Sequence, residues 1–312
     1  VGKPRPFRFA VQEHGVHNAK AWREKARLVE SLGYSTLSLP DHFGDQLAPF
    51  AALMSAADAT TSLRIGSLVF DNDYRHPAVL AKEAATLDLL SEGRLEFGLG
   101  AGWLVSDYEQ TGIPYDPPGT RIERMKEALT IIKTFFAGGR VSFAGKHYKI
   151  DGLEALPSPV QKPHPPILLG GGGRRMLRLA AHEADIVNIN YNLSEGRVNR
   201  KVVQTGLAES TDEKLGWIKE AAGDRLSEIE LSVTIFVANI TDDRDAVAAA
   251  LSSGIGSEPH DVLEIPHFLV GTVEQIVEDL QVRRERYGIS YVVLPGEVAT
   301  AFAPVVERLA GT

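Results

Sequence analysis

Residues 165–175 read Pro165-Pro166-Ile167-Leu168-Leu169-Gly170-Gly171-Gly172-Gly173-Arg174-Arg175, a short apolar run, four glycines and the start of a helix near Arg174. The apolar run is too short for a helix and suits a buried strand. Glycines remove the Cβ atoms that keep backbone N–H groups away from a ligand, and a helix that begins there adds the positive end of its dipole. The stretch therefore predicts a strand-to-helix turn that cradles an anion, a phosphate above all. A plain tight turn is the alternative reading, although one or two glycines would serve it.

Outward from this turn, two kinds of segment alternate. Upstream, Phe7–Val11 reads as a strand, and Ala19–Leu32 as a helix with Trp22, Ala26, Val29 and Leu32 on one side, ended by Gly33. Strand Ser35–Leu39 leads to helix Phe50–Ala59, strand Leu63–Phe70 to helix Ala78–Leu90, and strand Arg94–Leu99 through a longer loop to helix Ile122–Phe136. Downstream come helix Met176–Ala184, strand Ile186–Ile189, a helix within Asp212–Ala222, strand Glu230–Val237 and helix Asp243–Leu251. Helix Val273–Tyr287, entered through Gly271-Thr272, precedes strand Tyr291–Leu294 and helix Phe302–Leu309.

Eight short, β-branched strands alternating with helices predict an α/β chain folded as one (β/α)8 TIM barrel over residues 1–312, with insertions after strands 4 and 7. A doubly wound open sheet is the runner-up, but the first strand runs into Gln12-Glu13-His14-Gly15 without a GxGxxG turn. Lys146–Pro163 is expected to form a hairpin and an extended run. With Ser253–Phe268 it is a candidate lid or oligomer contact, since long loops in compact enzymes are commonly functional.

The chain is 44% hydrophobic, ordinary for a globular enzyme, and has no run of ~18 apolar residues that would span a membrane. A net charge of −8 and a pI near 5.6 argue against a nucleic-acid partner, so an anion has to be held locally. The absence of cysteine excludes disulfides and thiol catalysis. The first residues lack the apolar core of a secretion signal, which makes a soluble cytoplasmic protein the expectation. His14 and His17 are three apart but lack a third ligand, and HExxH, GxxxxGK[ST] and GxSxG are missing, so no metal is expected.

Barrel chemistry gathers at the C-terminal ends of the strands. After strand two stand Asp41 and His42; the imidazole can accept or give a proton near neutral pH, with Asp41 placed to orient it, or the pair can cap the next helix. After strand three, His76 precedes Pro77 at a helix start and reads as structural. After strand four, Gly98-Leu99-Gly100-Ala101-Gly102-Trp103 lets a flat ring approach the backbone with Trp103 as a wall; the alternative is a glycine-rich turn around a buried tryptophan. Asp107, Tyr108 and Glu109 follow closely. With the turn after strand five, these ends suit a redox cofactor with a phosphate tail.

Leu39-Pro40-Asp41-His42-Phe43, Arg64-Ile65-Gly66-Ser67-Leu68-Val69, Arg75-His76-Pro77, Lys82–Asp88, Gly93–Trp103 and Gln161–Gly173 together resemble the bacterial-luciferase-like superfamily, over almost the whole chain. Within it they resemble the branch that uses the deazaflavin coenzyme F420 rather than FMN. The resemblance implies a TIM barrel, commonly a homodimer. It also implies a non-prolyl cis peptide at Leu68-Val69 behind the cofactor ring, and ring and ribityl contacts from Asp41, Gly100 and Gly102 beside His42 and Trp103. Gly170, Gly171, Gly172, Gly173 and Arg174 match the phosphate-binding turn. His42 matches the catalytic histidine that, in alcohol-oxidising members, takes the hydroxyl proton while hydride passes to C5 of the deazaflavin.

Sugar-phosphate dehydrogenases of the family carry a glutamate where Trp103 stands. That departure shifts the expectation toward reduction of an activated double bond or imine, with His42 or Tyr108 as proton donor. The expected function is hydride transfer between F420 and a small organic substrate. An FMN-dependent monooxygenase and a non-catalytic flavin- or deazaflavin-binding protein are the alternatives.

Overall fold

The computed structural model describes residues 5–15 and 18–312, so His17 of the His14/His17 pair and the first four residues lie outside the description. In chain order, β1 (Arg8–Gln12) is followed by α1 (Ala19–Ser31), β2 (Thr36–Leu39) by α2 (Pro49–Ala59), and β3 (Arg64–Ser67) and β4 (Phe70–Asp71) by α3 (Pro77–Leu90). β5 (Leu95–Gly100) leads to α4 (Val105–Thr111), α5 (Pro118–Ala137), β6 (Arg140–Ala144) and β7 (Lys149–Glu154). Then come β8 (Ile167–Gly171), α6 (Arg174–Glu183), β9 (Ile186–Ile189), α7 (Arg200–Gln204), α8 (Ala208–Ala222) and β10 (Glu230–Thr234). The last stretch holds β11 (Val237–Ile240), α9 (Arg244–Ile255), α10 (Pro259–Glu264), β12 (Phe268–Gly271), α11 (Val273–Tyr287), β13 (Ile289–Pro295) and α12 (Ala303–Leu309).

The main sheet has the order β3-β2-β1-β13-β10-β9-β8-β5-β4, and β3 also pairs with β5, so the row closes. With β3 and β4 sharing one position this is a parallel (β/α)8 barrel. Register runs without slip along β1 and β13, where Ala10 lies opposite Val293, while β10 shifts against β13 between Leu231 and Ser232. Phe9, Val11, Leu37, Leu39, Phe97, Leu99, Ile167, Leu169, Val292 and Leu294 are all buried. Such continuous apolar strands fit a sheet covered on both faces.

The chain packs as two compact units, one made of the residues through Glu13, Leu28–Leu37 and Leu169–Thr312, the other of His14–Arg27 and Ser38–Leu168. In the second, Phe50 stacks on Phe70 at 4.5 Å, and Phe70 and Phe136 each lie within 5.7 Å of Phe97. In the first, Ile255, Val262, Ile265 and Phe268 make a satellite core. There Thr272 closes a capping box with Gln275 at the start of α11, as its Gly271-Thr272 approach predicts.

Four departures from the sequence reading have physical causes. Strand three is not continuous, because a cis peptide at Leu68-Val69 separates β3 from β4. Strand seven stops at Thr234 rather than Val237: the Phe236 amide donates to the His267 carbonyl at 2.9 Å, and Val237–Ile240 then pairs with β12 in a separate two-stranded sheet. The helices α4, α7 and α10 span five to seven residues each, too few to show a periodicity. The hairpin forms earlier than expected, over Arg140–Glu154, because Glu127 on α5 accepts the backbone N–H groups of Lys146, His147 and Tyr148 at 2.8, 2.9 and 3.1 Å and fixes its turn. Among the described residues no helix is long and apolar enough to cross a membrane.

Candidate functional site

The loops that follow β2, β4 and β5, all within the second unit, bring a group of charged and phenolic side chains together. Asp41 and His42 are adjacent in sequence but have different partners. The Asp41 carboxylate is gripped by the Arg75 guanidinium and accepts the Asp71 amide at 3.1 Å. It therefore does not orient His42, which corrects the expectation drawn from the dipeptide. Nor does the pair cap the next helix, whose N-cap is Ala48.

Asp107, on the short helix α4, takes that role. Its Oδ2 lies 2.6 Å from His42 Nδ1 and accepts the Tyr74 hydroxyl at 3.0 Å, while Oδ1 accepts the Phe43 amide at 3.5 Å. The Asp107 side chain is 6% exposed and that of His42 24%. The carboxylate thus sits in the protein while the imidazole reaches the surface of the site. Trp103 meets the His42 ring edge-on at 5.7 Å, and the Tyr115 hydroxyl holds the Trp103 carbonyl at 3.0 Å. Asp107 follows Trp103 by one turn of chain, and its place after strand four is the only sequence signal for it.

A second network lies beside the first. Asp71 accepts the Asp73 amide at 2.8 Å and the Tyr108 hydroxyl at 3.3 Å. Burial, then the neighbouring Asp73 and Asp41 charges, push the Asp71 carboxyl up to about 7 against the hydrogen bonds that favour its anion. Asp73 is neutralised by Arg124 through contacts of 2.8 and 2.7 Å, and Arg124 also binds Asp116 at 2.6 Å. Tyr108 is buried, its hydroxyl also reaches Asp73 at 3.1 Å, and burial beside these carboxylates raises its pKa. Its proton is committed to the network, so of the two donors expected from the sequence His42 is the one presented. His76 is the N-cap of α3, its Nδ1 accepting the Ala78 amide at 3.3 Å, in line with a structural reading.

The peptide Leu68-Val69 is cis, at the position the resemblance implies. The Leu68 amide donates to the Leu39 carbonyl at 3.0 Å, and the Val69 side chain turns onto β5. This explains the glycines after strand four in a way the sequence did not suggest. A Cβ on Gly98 would overlap the Ser67 carbonyl, one on Gly100 the Val69 side chain, and one on Gly102, whose φ is +74°, the Tyr108 hydroxyl. The chain's own atoms fill the space these glycines leave.

The Gly170–Gly173 turn lies in the first unit. Gly171 is the last residue of β8, and Gly173 is the N-cap of α6, with no side chain to cap the helix. A Cβ on Gly171 would press on Met176, and one on Gly172 would overlap the Tyr191 carbonyl. Gly173 differs: the nearest atom to its missing Cβ is Asn192 Oδ1 at 3.8 Å. The Arg174 side chain is exposed, and Glu220 on α8 lies 3.6 Å from it.

A profile of the family described as luciferase-like monooxygenase matches residues 6–264. Among curated proteins, the chain is 32% identical over 166 residues to the F420-dependent glucose-6-phosphate dehydrogenase of Microbacterium testaceum, covering 51% of this chain and 48% of that one. It is 29% identical over 138 residues to the FMNH2-dependent dimethylsulfone monooxygenase of Pseudomonas putida, covering 44% and 38%. The chain spans about half the length of such relatives. Among solved structures, the coenzyme F420-dependent tetrahydromethanopterin reductase from Methanopyrus kandleri superposes with a TM-score of 0.75 at 18% identity over 98% of both chains, a likeness of fold.

Proposed function

The chain belongs to the luciferase-like monooxygenase family, and on that premise we propose that it is an oxidoreductase that transfers hydride between coenzyme F420 and a small organic substrate, with His42 handling the proton. The observation that carries the reading is the His42–Asp107–Tyr74 chain, because it supplies a correctly oriented, partly exposed imidazole at a barrel strand end.

Asp107 accepts from Tyr74 and Phe43, so as a carboxylate it also takes the Nδ1 hydrogen of His42, and the Nε2 lone pair is left for chemistry. In the reducing direction Nε2 gives its proton to the substrate atom that becomes negative as hydride is added to its neighbour, and in the oxidising direction it takes that proton back. Asp107 stabilises the imidazolium that forms between. Bound F420 supplies a carbon, C5, that carries hydride and reacts poorly with dioxygen.

The residues fit such a cofactor. The room at Gly173, where a Cβ would meet only Asn192 Oδ1 at 3.8 Å, and the N-terminus of α6 would cradle the phosphate, with Gly170, Gly171 and Gly172 and with Arg174 beside it. Asp41, Leu68, Val69, Gly100, Gly102 and Trp103 would hold the ring and ribityl end. Trp103 in place of a glutamate favours reduction of an activated double bond or imine over sugar-phosphate oxidation. A cytoplasmic homodimer with a small-molecule substrate, and with neither nucleic acid nor membrane as partner, completes the reading.

The similarity to the dimethylsulfone monooxygenase favours FMN as the second reading. Oxygen uptake by the protein with reduced cofactor separates the two. Hydride transfer without oxygen consumption supports F420, and oxygen consumption with reduced FMN supports the monooxygenase. Loss of turnover in His42→Ala with cofactor affinity retained supports the assigned proton role, unchanged turnover would assign the proton to another group, and cofactor binding without any turnover in the wild type would leave a carrier protein.

A further inference from the structure

Lys214 on α8 is 2% exposed, yet among the described residues its ammonium has no carboxylate partner. Nζ donates to the Asn190 carbonyl at 2.7 Å and to the Thr205 carbonyl. A cation withdrawn from water is ordinarily paired with an anion, because carbonyl dipoles alone leave a net charge in low dielectric. The peptides that Lys214 grips lead directly to the glycine-rich turn. The Asn190 amide donates to the Gly171 carbonyl at 3.0 Å. The missing Cβ of Gly172 would lie 2.5 Å from the Asn190 carbonyl oxygen, so these two segments touch backbone to backbone. Asn192, whose Oδ1 lies 3.8 Å from where a Cβ on Gly173 would stand, is tied back through its amide to Thr205 Oγ1 at 2.9 Å.

We infer that Lys214 is the positioning residue of the phosphate cradle: it locks residues 190–192 against Gly171–Gly173 and supplies a fixed buried positive charge that a cofactor phosphate neutralises. The inference rests on the reading of Gly170–Gly173 as the phosphate turn. Lys214 makes no direct contact with the turn's N–H groups, so its effect passes through the Asn190 peptide and through space.

Burial lowers the Lys214 ammonium to about 8, with the exposed Glu213 beside it acting the other way. The other groups around it stay silent above neutral pH. Burial holds His267 neutral, down to about 3, and pushes the Tyr191 hydroxyl up. Arg174 and Arg178 of α6 are engaged with Glu220. The ammonium is therefore the group of this cluster that loses its charge in mildly alkaline solution.

The test compares affinities for FMN and riboflavin, and for F420 and its phosphate-free deazaflavin–ribitol core, in the wild type, Lys214→Met and Lys214→Arg. Lys214→Met is expected to weaken FMN and F420 by about tenfold or more while the two phosphate-free molecules change less than about twofold. Lys214→Arg, which keeps the charge, retains most of the preference. Equal weakening of both kinds of molecule, or none, would overturn the inference and leave Lys214 as a tie between loops.

If Lys214→Met fails to fold, the wild type decides. Its preference for FMN over riboflavin falls between about pH 7 and about pH 10, a range in which the phosphate is already dianionic; a flat preference would overturn the inference. A wild type with no phosphate preference at any pH would instead sink the phosphate reading of the turn.

Discussion

Two glycine-rich turns end consecutive barrel strands, and they are glycine-rich for different reasons. At the end of β5 and just beyond it, Gly98, Gly100 and Gly102 are each required by an atom of the chain itself: the Ser67 carbonyl, the Val69 side chain and the Tyr108 hydroxyl. At the end of β8, Gly171 and Gly172 are likewise occupied, but a Cβ at Gly173 would meet only Asn192 Oδ1, at 3.8 Å. A glycine run is thus no ligand signal by itself. The informative glycine is the one in a strand-end turn whose missing Cβ would meet no closer than an ordinary contact, as Gly173 does with Asn192 Oδ1 at 3.8 Å. Beside the first turn stands a side-chain pair, His42 on Asp107, whereas the second leads into the N-terminus of α6, which no side chain caps.

If the surroundings of the first turn carry the chemistry, His42→Ala has the largest effect, a loss of about 10²–10⁴-fold in kcat with cofactor affinity little changed. Steady-state kinetics beside a binding titration checks it, and parallel loss of both would return the imidazole to a merely structural role. Next in size, Gly102→Ala pushes a methyl group into Tyr108 and sets φ +74° against a side chain. It should lower stability by about 3 kcal/mol in urea denaturation, and full tolerance would break the packing account of the first turn.

A smaller effect concerns Asp71. Its carboxyl keeps a proton up to about 7 when folded but releases it near the ordinary value of 3.8 when unfolded. The native state therefore binds more protons between these values, and stability falls as pH rises through that window. Asp71→Asn cannot ionise and should flatten the decline between acid and neutral pH. Equal slopes in the two proteins would place the Asp71 titration at its ordinary value. Smallest of all for the fold is Gly173→Ala: its φ of −99° suits alanine, so stability should shift by no more than about 1 kcal/mol. Phosphate-bearing cofactors should nevertheless bind several-fold more weakly, and unaltered binding would erase the contrast between the turns.

The barrel was legible because its strands are buried on both faces and read as uninterrupted apolar runs, and because caps such as Thr272 mark helix ends. Strand Ile186–Ile189 and helix Val273–Tyr287 fall where periodicity puts them. The broken third strand was legible only through the family resemblance, since a cis bond has no local composition. The site was half legible. Asp41 and His42 stand out in the sequence, but their partners are Arg75, on the loop after β4, and Asp107, on α4. Adjacent side chains leave an extended backbone in different directions, so sequence neighbours are poor candidates for a dyad. The helix that carries Asp107 is too short to announce itself.

The most direct test is a side-by-side fluorescence titration of the purified protein with F420 and with FMN. The account predicts micromolar or tighter binding of F420 and much weaker binding of FMN. The reverse preference, or binding of neither, would contradict it.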